Sequence, residues 1–437
     1  MDIELEYGRS GLTLPVPDGV RPTVIRKPRM VLPDDPATEI ARVLDSPMDV
    51  PALTEFASGA RTACILICDI TRPVPNHLFL RPIIERLLAA GLDASAITVL
   101  IATGLHRPNL GAELAELVGD AWVTDTVRVV NHDARDSDAH VDLGRTGKHD
   151  CPVKLDRLFV DAEIKIATGL VEPHFMAGYS GGRKVIAPGI AFHETIRTFH
   201  SARFMEHPAA TSCNLAGNPL HETQIEIVDM LNSGSDRSIL SLNTVLDDQR
   251  NLAFVSFGEI LASHMAAVDF ARDSCEVSVG RRFKTVVTTS AGYPLDKTYY
   301  QTVKGMVTPL DILAPGGTLI IASECSEGVG SPEFRASQER LVALGPDAFL
   351  ASLTAKNIAE IDEWQTEMQL KPMRVGDVVL YAPGLGETGH AVTGVSRTDD
   401  LAQAVRSAVD RQGDAEIAVI PEGPYVVPFA KTALAAE

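Results

Sequence analysis

The chain has 437 residues, of which 45% are hydrophobic and 22% charged, and it carries a formal charge of −19 from Lys+Arg 39 against Asp+Glu 58. That length suits two or three globular domains with sizeable cores, and a mixed composition without low-complexity tracts excludes disordered and fibrous classes. Acidic charge spread along the chain argues against a nucleic-acid binder or a protein of anionic membranes, although a few local Arg or Lys residues can still hold a small anion.

The opening segment MDIELEYGRS is acidic and lacks the basic start and apolar core of a signal peptide. No uncharged apolar stretch approaches the roughly 18 residues of a membrane helix, so a cytoplasmic enzyme-sized protein is expected. Six cysteines (Cys64, Cys68, Cys151, Cys213, Cys275, Cys325) form no CxxC pair, which fits a reducing compartment. Cys64 and Cys68 share one face of an apolar run and read as buried thiols rather than as a metal or redox pair.

Residues 62–69 (TACILICD) predict a buried strand, 76–90 a helix closed by Gly91, and 96–102 the next strand, together a βαβ unit. Further strands are expected at 126–131, 153–160 and 162–168, and helices at 193–206, 219–232 and 258–272. A second α/β series starts near 283 with FKTVVTT, a helix over 299–308, the strand TLIIAS, helical patterns over 332–370 and the strand in VGDVVLYAPG. The fold class is α/β, with two domains of mostly parallel sheet and the active site in the cleft between them. The expected domains are 1–275 (cofactor binding and catalysis), 280–397 (closing over the substrate) and a segment 398–437 that packs back on the first domain.

Open α/β sheets bind ligands beyond the C-terminal ends of their strands, so polar loops there carry the search for chemistry. Asp69-Ile70-Thr71-Arg72-Pro73 follows the first strand; Arg72 can grip a carboxylate bidentately, or Asp69 and Arg72 simply close the turn as an ion pair. His106 stands at the equivalent place after the next strand, in Thr103-Gly104-Leu105-His106-Arg107-Pro108. A third loop, Glu172-Pro173-His174-Phe175-Met176-Ala177-Gly178-Tyr179-Ser180-Gly181-Gly182-Arg183-Lys184, reads as a phosphate cradle in which Gly181 and Gly182 offer bare amides ahead of Lys184. It is not a Walker A loop, because Arg183 precedes the lysine and Val185 replaces the magnesium-binding hydroxyl. His193 and His200 lie seven residues apart on one helical face, without an HExxH motif; His200 can ligate nickel or zinc or be a packed polar residue. In the second half Tyr300, Gln301 and Lys304 share a helix turn, and Trp364 is one of two tryptophans; these can close over a ligand, or Lys304 can be merely solvated.

DITRP, TGLHRP, EPHFMAGYSGGRK, the helix ending in His200, YYQTVKG and EWQ, in order over most of the chain, resemble the lactate racemase family, the nickel-pincer-nucleotide-dependent racemases and epimerases of 2-hydroxy acids. The resemblance implies a pyridinium-3-thioamide-5-thiocarboxylic acid mononucleotide joined covalently to Lys184, with Asp69, Thr71, Gly181 and Gly182 beside it and nickel taking its protein ligand from His200. It implies His106 and His174 as the acid/base pair and Arg72 as the holder of the substrate carboxylate, with Tyr300, Gln301, Lys304 and Trp364 as further substrate contacts. The implied partners are a small 2-hydroxy acid and the proteins that make the cofactor, with no nucleic acid and no membrane. A short aliphatic acid such as lactate is favoured, a larger or sugar acid on the same cofactor is the alternative, and a zinc-dependent hydrolase using His174 and His200 is the rival from another class.

Overall fold

The computed structural model describes residues 1–431. Its strands and helices include, in chain order, β1 (Asp2–Leu5), β2 (Leu12–Pro15), β3 (Arg21–Val24), β4 (Ala63–Cys68), α1 (Asn76–Ala89), β5 (Ile97–Ala102), β6 (Arg128–Asn131), β7 (Ile164–Leu170), β8 (Leu240–Leu246) and β9 (Leu252–Glu259). The later ones are β10 (Phe283–Thr289), α2 (Tyr299–Val307), β11 (Leu313–Ala322), α3 (Glu363–Val375), β12 (Asp377–Tyr381), β13 (Ser396–Arg397), α4 (Leu401–Gln412) and β14 (Glu416–Ile420). The chain forms two compact units: the first is Arg29–Phe199 with Asn214–Asp273, and the second is Met1–Pro28 and His200–Cys213 with the chain from Ser274 onward.

The first unit is built on a six-stranded sheet in the order β9-β8-β7-β4-β5-β6, parallel except for the antiparallel edge strand β9. Strands β4 and β5 are nearly continuous apolar runs because both faces of the sheet are covered, and all seven residues of β7, Lys165 among them, are buried. Helix α1 lays Phe79, Leu80, Ile83, Ile84 and Leu87 on the sheet at helical spacing, against Ile65, Ile67, Val99 and Ile101. Each such side chain contributes roughly 1.5–3 kcal/mol on burial. The consequence for function is positional: β4, β5 and β7 run side by side in one direction, so Asp69, the 103–108 loop and the 171–184 loop emerge at the same end of the sheet.

The second unit carries another six-stranded sheet, in the order β13-β12-β11-β10-β14-β3 and parallel throughout. Val287, Ile320, Ile417 and Val419 form its core with Leu401 and Val405 of α4, and Ile3, Leu5 and Leu14 of the β1–β2 hairpin join the same cluster.

These units differ from the expected domains in three places. The segment after 398 does not return to the first unit: β14 is an apolar parallel strand that needs a neighbour on each edge, and it finds β10 on one side and β3 on the other. Residues 1–28 belong to the second unit for the same reason. The helix expected over 193–206 is two short helices, His193–Phe199 and Ala202–Met205, broken at the extended backbone of Ser201, and the chain passes to the second unit at His200. The strand expected over 153–160 ends at Asp156, which caps a helical turn, and it pairs with His140–Arg145 rather than joining the main sheet. The helical stretch over 332–370 is three helices, Pro332–Leu344, Pro346–Thr354 and α3, two of them started by proline.

Candidate active site

At the end of β4, Asp69 is buried and both of its oxygens are engaged: His106 Nδ1 lies 2.6 Å from Oδ2, and the Thr71 hydroxyl donates to Oδ1 at 2.6 Å. Burial alone would push the Asp69 carboxyl up, but His106, Thr71 and the Arg72 charge outweigh it and hold the group below the ordinary carboxylate range. An ionised Asp69 accepts the Nδ1 proton of His106, so the exposed Nε2 carries the lone pair. That nitrogen can take a proton. The His106 side chain is 58% exposed and faces a cavity of about 510 Å³ lined by residues 105–108, Asn131, His132, Asp133 and Arg135. Asp69 and Thr71, expected on a cofactor, therefore serve first to orient His106. Arg72 forms an ion pair with Glu172, a residue the sequence left without a role.

His174 is wired differently. It sits in a two-residue strand, Pro173–His174, paired with Gly178–Tyr179, and its Nδ1 accepts from the amides of Met176 (3.3 Å) and Ala177 (3.2 Å). A neutral ring so held carries its proton on Nε2 and presents a donor. The two histidines expected to be equivalent are thus prepared in opposite tautomers.

In the 177–184 loop, one of the two glycine amides expected to face an anion is already engaged by protein. Gly182 N–H donates to Asn243 Oδ1 at 2.8 Å. A Cβ on Gly181 would stand 2.5 Å from Val171 Cγ2, and one on Gly182 would stand 2.8 Å from His264 Cβ, both at positive φ (+78° and +48°). Glycine is required there by close packing, and the space is filled by protein. Arg183 is wholly buried and turns inward, donating from Nε to His221 Nδ1 (2.8 Å), from Nη1 to Tyr179 O (3.3 Å) and from Nη2 to Ala177 O (3.3 Å), with His264 Nε2 at 2.8 Å from Nη1. Desolvation lowers Arg183 to about 9. Burial and the guanidinium drive His221 down to about 3 and hold His264 well below its usual range, so both rings stay neutral; His221 Nδ1 accepts from the cation, and His264 Nε2 also lies 2.9 Å from the Ser180 carbonyl. This knot fixes the backbone from which the half-buried Lys184 projects. The charges of Arg72, Asp69 and Lys184 all act on the Cys68 thiol at the tip of β4, where burial is the main cause of a pKa raised to about 11. These side chains therefore share one neighbourhood.

In the second unit the structure brings together His200 and Trp364, whose rings lie 4.8 Å apart. Tyr300 packs edge-on against Phe334 at 5.1 Å, and its carbonyl accepts from Gln365 Nε2 at 2.6 Å, tying α2 to α3. Burial, then the Asp362 carboxylate, push the Tyr300 phenol far above its ordinary range, so it stays a neutral wall. Lys304 lies one turn further along α2 and is half-buried. The Gln301 side-chain oxygen is buried with no hydrogen-bond partner among the described residues. Glu363, also missed from sequence, pins the start of α3 through Arg340 (3.1 Å), Lys356 (2.6 Å) and the Glu360 amide (2.7 Å).

Two family models match the chain: the lactate racemase N-terminal domain over residues 7–212 and the lactate racemase C-terminal domain over residues 281–427. The chain is 30% identical to a lactate racemase of Lactiplantibacillus plantarum over 89% of its length and 90% of the relative's. It belongs to the lactate racemase family. A racemase is an isomerase, and that is the enzyme class of this chain. A lactate racemase of Thermoanaerobacterium thermosaccharolyticum is 29% identical over 98% of this chain and 99% of the relative, and its apoprotein structure superposes with a TM-score of 0.89 at 27% identity, covering 98% of this chain and 100% of that one. A Thermotoga maritima protein shares the fold at 18% identity with a TM-score of 0.64, covering 91% and 99%. Among the described residues no helix is long and apolar enough to cross a membrane. Among the described residues there is no group of three or more His, Cys, Asp or Glu that could hold a metal ion.

Proposed function

We propose that this protein racemises 2-hydroxy acids, lactate or another short aliphatic acid, by moving the Cα hydrogen as hydride. The observation that carries this is the Asp69–His106 pair, a base oriented by a buried carboxylate in the neighbourhood of Arg72 and Lys184. Removing the Cα hydrogen as a proton would leave carbanion charge beside a carboxylate. Removing it as hydride leaves a carbonyl. His106 Nε2 takes the hydroxyl proton, holds it while the substrate is a planar 2-keto acid and gives it back to that oxygen as the hydroxy acid re-forms; Arg72 grips the carboxylate so that the flat acid can tilt and present its other face. His174 offers Nε2–H to the substrate oxygen, and to act as base for the other enantiomer it must release the Met176 and Ala177 amides.

The chemistry of the residues fits a nickel-pincer nucleotide: a half-buried lysine on a locked loop, a histidine set against tryptophan, and an amide oxygen on Gln301 with no partner among the described residues. Lys184 would hold the nucleotide covalently and His200 would ligate the nickel. When bound, such a group supplies a hydride acceptor and donor. Partners would then include the proteins that make it, and six cysteines without a CxxC pair suit a reducing cytoplasm.

The test is to co-produce the protein with cofactor-making enzymes, weigh it intact, and follow L- and D-lactate, 2-hydroxybutyrate, malate and gluconate by chiral chromatography. A nucleotide adduct lost in Lys184→Ala together with racemisation is expected. Racemisation that survives Lys184→Ala would overturn the attachment, and inertness of the adduct-bearing protein toward every 2-hydroxy acid would overturn the activity.

A further inference from the structure

The guanidinium assigned to the substrate carboxylate is already filled by a carboxylate of the protein. Arg72 and Glu172 pair with side chains only 24% and 19% exposed, so the contact is largely shielded from water and more than a loose surface pair. Asp69, whose carboxyl also feels the Arg72 charge, is committed to His106 and Thr71. The backbone of Glu172 does not depend on the ion pair: its N–H donates to Ser180 Oγ (3.0 Å), its carbonyl accepts from Ser180 N–H (3.0 Å), and Ser180 Oγ donates to Leu170 O (2.7 Å). Pro173 then fixes the entry to the His174 strand. The Glu172 side chain can therefore swing away from Arg72 while the hairpin that carries His174 keeps its place.

We infer that Glu172 is an internal competitor for the substrate, a tethered carboxylate that occupies Arg72 until a 2-hydroxy or 2-keto carboxylate displaces it and that reclaims Arg72 as product leaves. This rests on the assignment of Arg72 to the substrate carboxylate. The exchange swaps one carboxylate for another on the same guanidinium, so Arg72 keeps a counter-charge throughout. It also selects for carboxylates, whose second oxygen can reach the other arm of the guanidinium, over a monodentate anion such as chloride, which gains too little to evict Glu172. Glu172 thus raises KM and assists release.

The experiment compares wild type, Glu172→Gln, Glu172→Asp and Arg72→Met. Pyruvate is titrated calorimetrically into each protein without cofactor, and KM and kcat for lactate are measured on loaded enzyme. Glu172→Gln keeps the shape and removes the charge. It should bind pyruvate about 3- to 10-fold tighter and lower KM by the same factor without raising kcat. Glu172→Asp, with its carboxylate withdrawn by one methylene, should fall between the two and covers the case in which the glutamine variant does not fold. Pyruvate affinity unchanged or weakened in both Glu172 variants would show that Glu172 orients Arg72, and the competitor role would fall. Pyruvate bound as tightly by Arg72→Met as by wild type would instead remove Arg72 from carboxylate binding, which overturns the underlying assignment whatever the Glu172 variants do.

Discussion

The strand tips of the first unit and the α2–α3 helix pair of the second treat their polar atoms in opposite ways. At the tips, Asp69 is matched oxygen by oxygen with His106 and Thr71, Arg72 with Glu172, and Arg183 with two neutral histidines and a set of carbonyls. On the helices, Gln301 Oε1 and Glu367 Oε1 are buried with no hydrogen-bond partner among the described residues. A polar atom left unpaired in a protein interior costs about 1–3 kcal/mol, so such atoms persist where something else repays them. The tips pair most of their polar atoms, leaving His264 Nδ1 aside, whereas the helix pair buries two side-chain oxygens that no described residue pairs.

The largest effect should come from breaking the paired side. Asp69→Asn lets an amide face His106 Nδ1 and frees the ring to adopt the wrong tautomer, while Thr71 keeps a partner. Racemisation should fall at least about 100-fold with little change in melting temperature, read by chiral assay and thermal unfolding on the same samples. Activity retained within a few-fold would mean that the pair is an ordinary turn contact.

The next effect is on stability and concerns Glu367. Burial, reinforced by Glu206 and opposed by Lys371, raises this carboxyl from 4.5 to about 8. The folded protein then keeps a proton that the unfolded chain releases near the ordinary value, so the native state binds more protons over that interval. Stability from this group is fully present below about pH 4.5 and is lost as pH rises toward 8, at a slope of at most ~1.4 kcal/mol per pH unit. Denaturant unfolding at pH 5 and pH 8 should show the decline in wild type and a flatter profile in Glu367→Gln. Equal slopes would assign the pH dependence elsewhere.

The smallest effect separates function from packing on the helix side. Gln301→Leu removes an unpaired oxygen, so the melting temperature should hold or rise, while kcat/KM should drop about 5- to 30-fold if that oxygen meets the substrate. A fall in melting temperature with kcat/KM unchanged would make Gln301 a structural residue.

Much of this was legible in the sequence, for identifiable reasons. Parallel strands covered on both faces are long apolar runs, so β4, β5 and β7 and the polar loops at their ends could be placed, and with them Asp69, Arg72, His106 and Lys184. What hid was settled by distant partners. The pairing of β14 with β3 spans almost the whole chain, and no local pattern in residues 1–28 announces it. The helix around His200 reads as continuous because Ser201 is tolerated in helices, and only tertiary packing decides the break. Gly181 and Gly182 look like an open anion loop, and Arg183 like a solvated cation, because burial of the loop is not a local property. Glu172 stood inside a quoted motif, but an acid beside a proline gives no hint that its partner is an arginine 100 residues away.

The most direct test of hydride movement is the fate of the Cα hydrogen. Loaded enzyme should be incubated with pure L-lactate in D2O, and the D-lactate formed should be examined by proton NMR and mass spectrometry. Transfer as hydride and return to the other face predicts D-lactate that keeps its original Cα hydrogen, with no deuterium at that carbon even at full racemisation. Deuterium at Cα in step with the appearance of D-lactate would mean that a proton is removed there, and the account of His106, Arg72 and Lys184 given above would be contradicted.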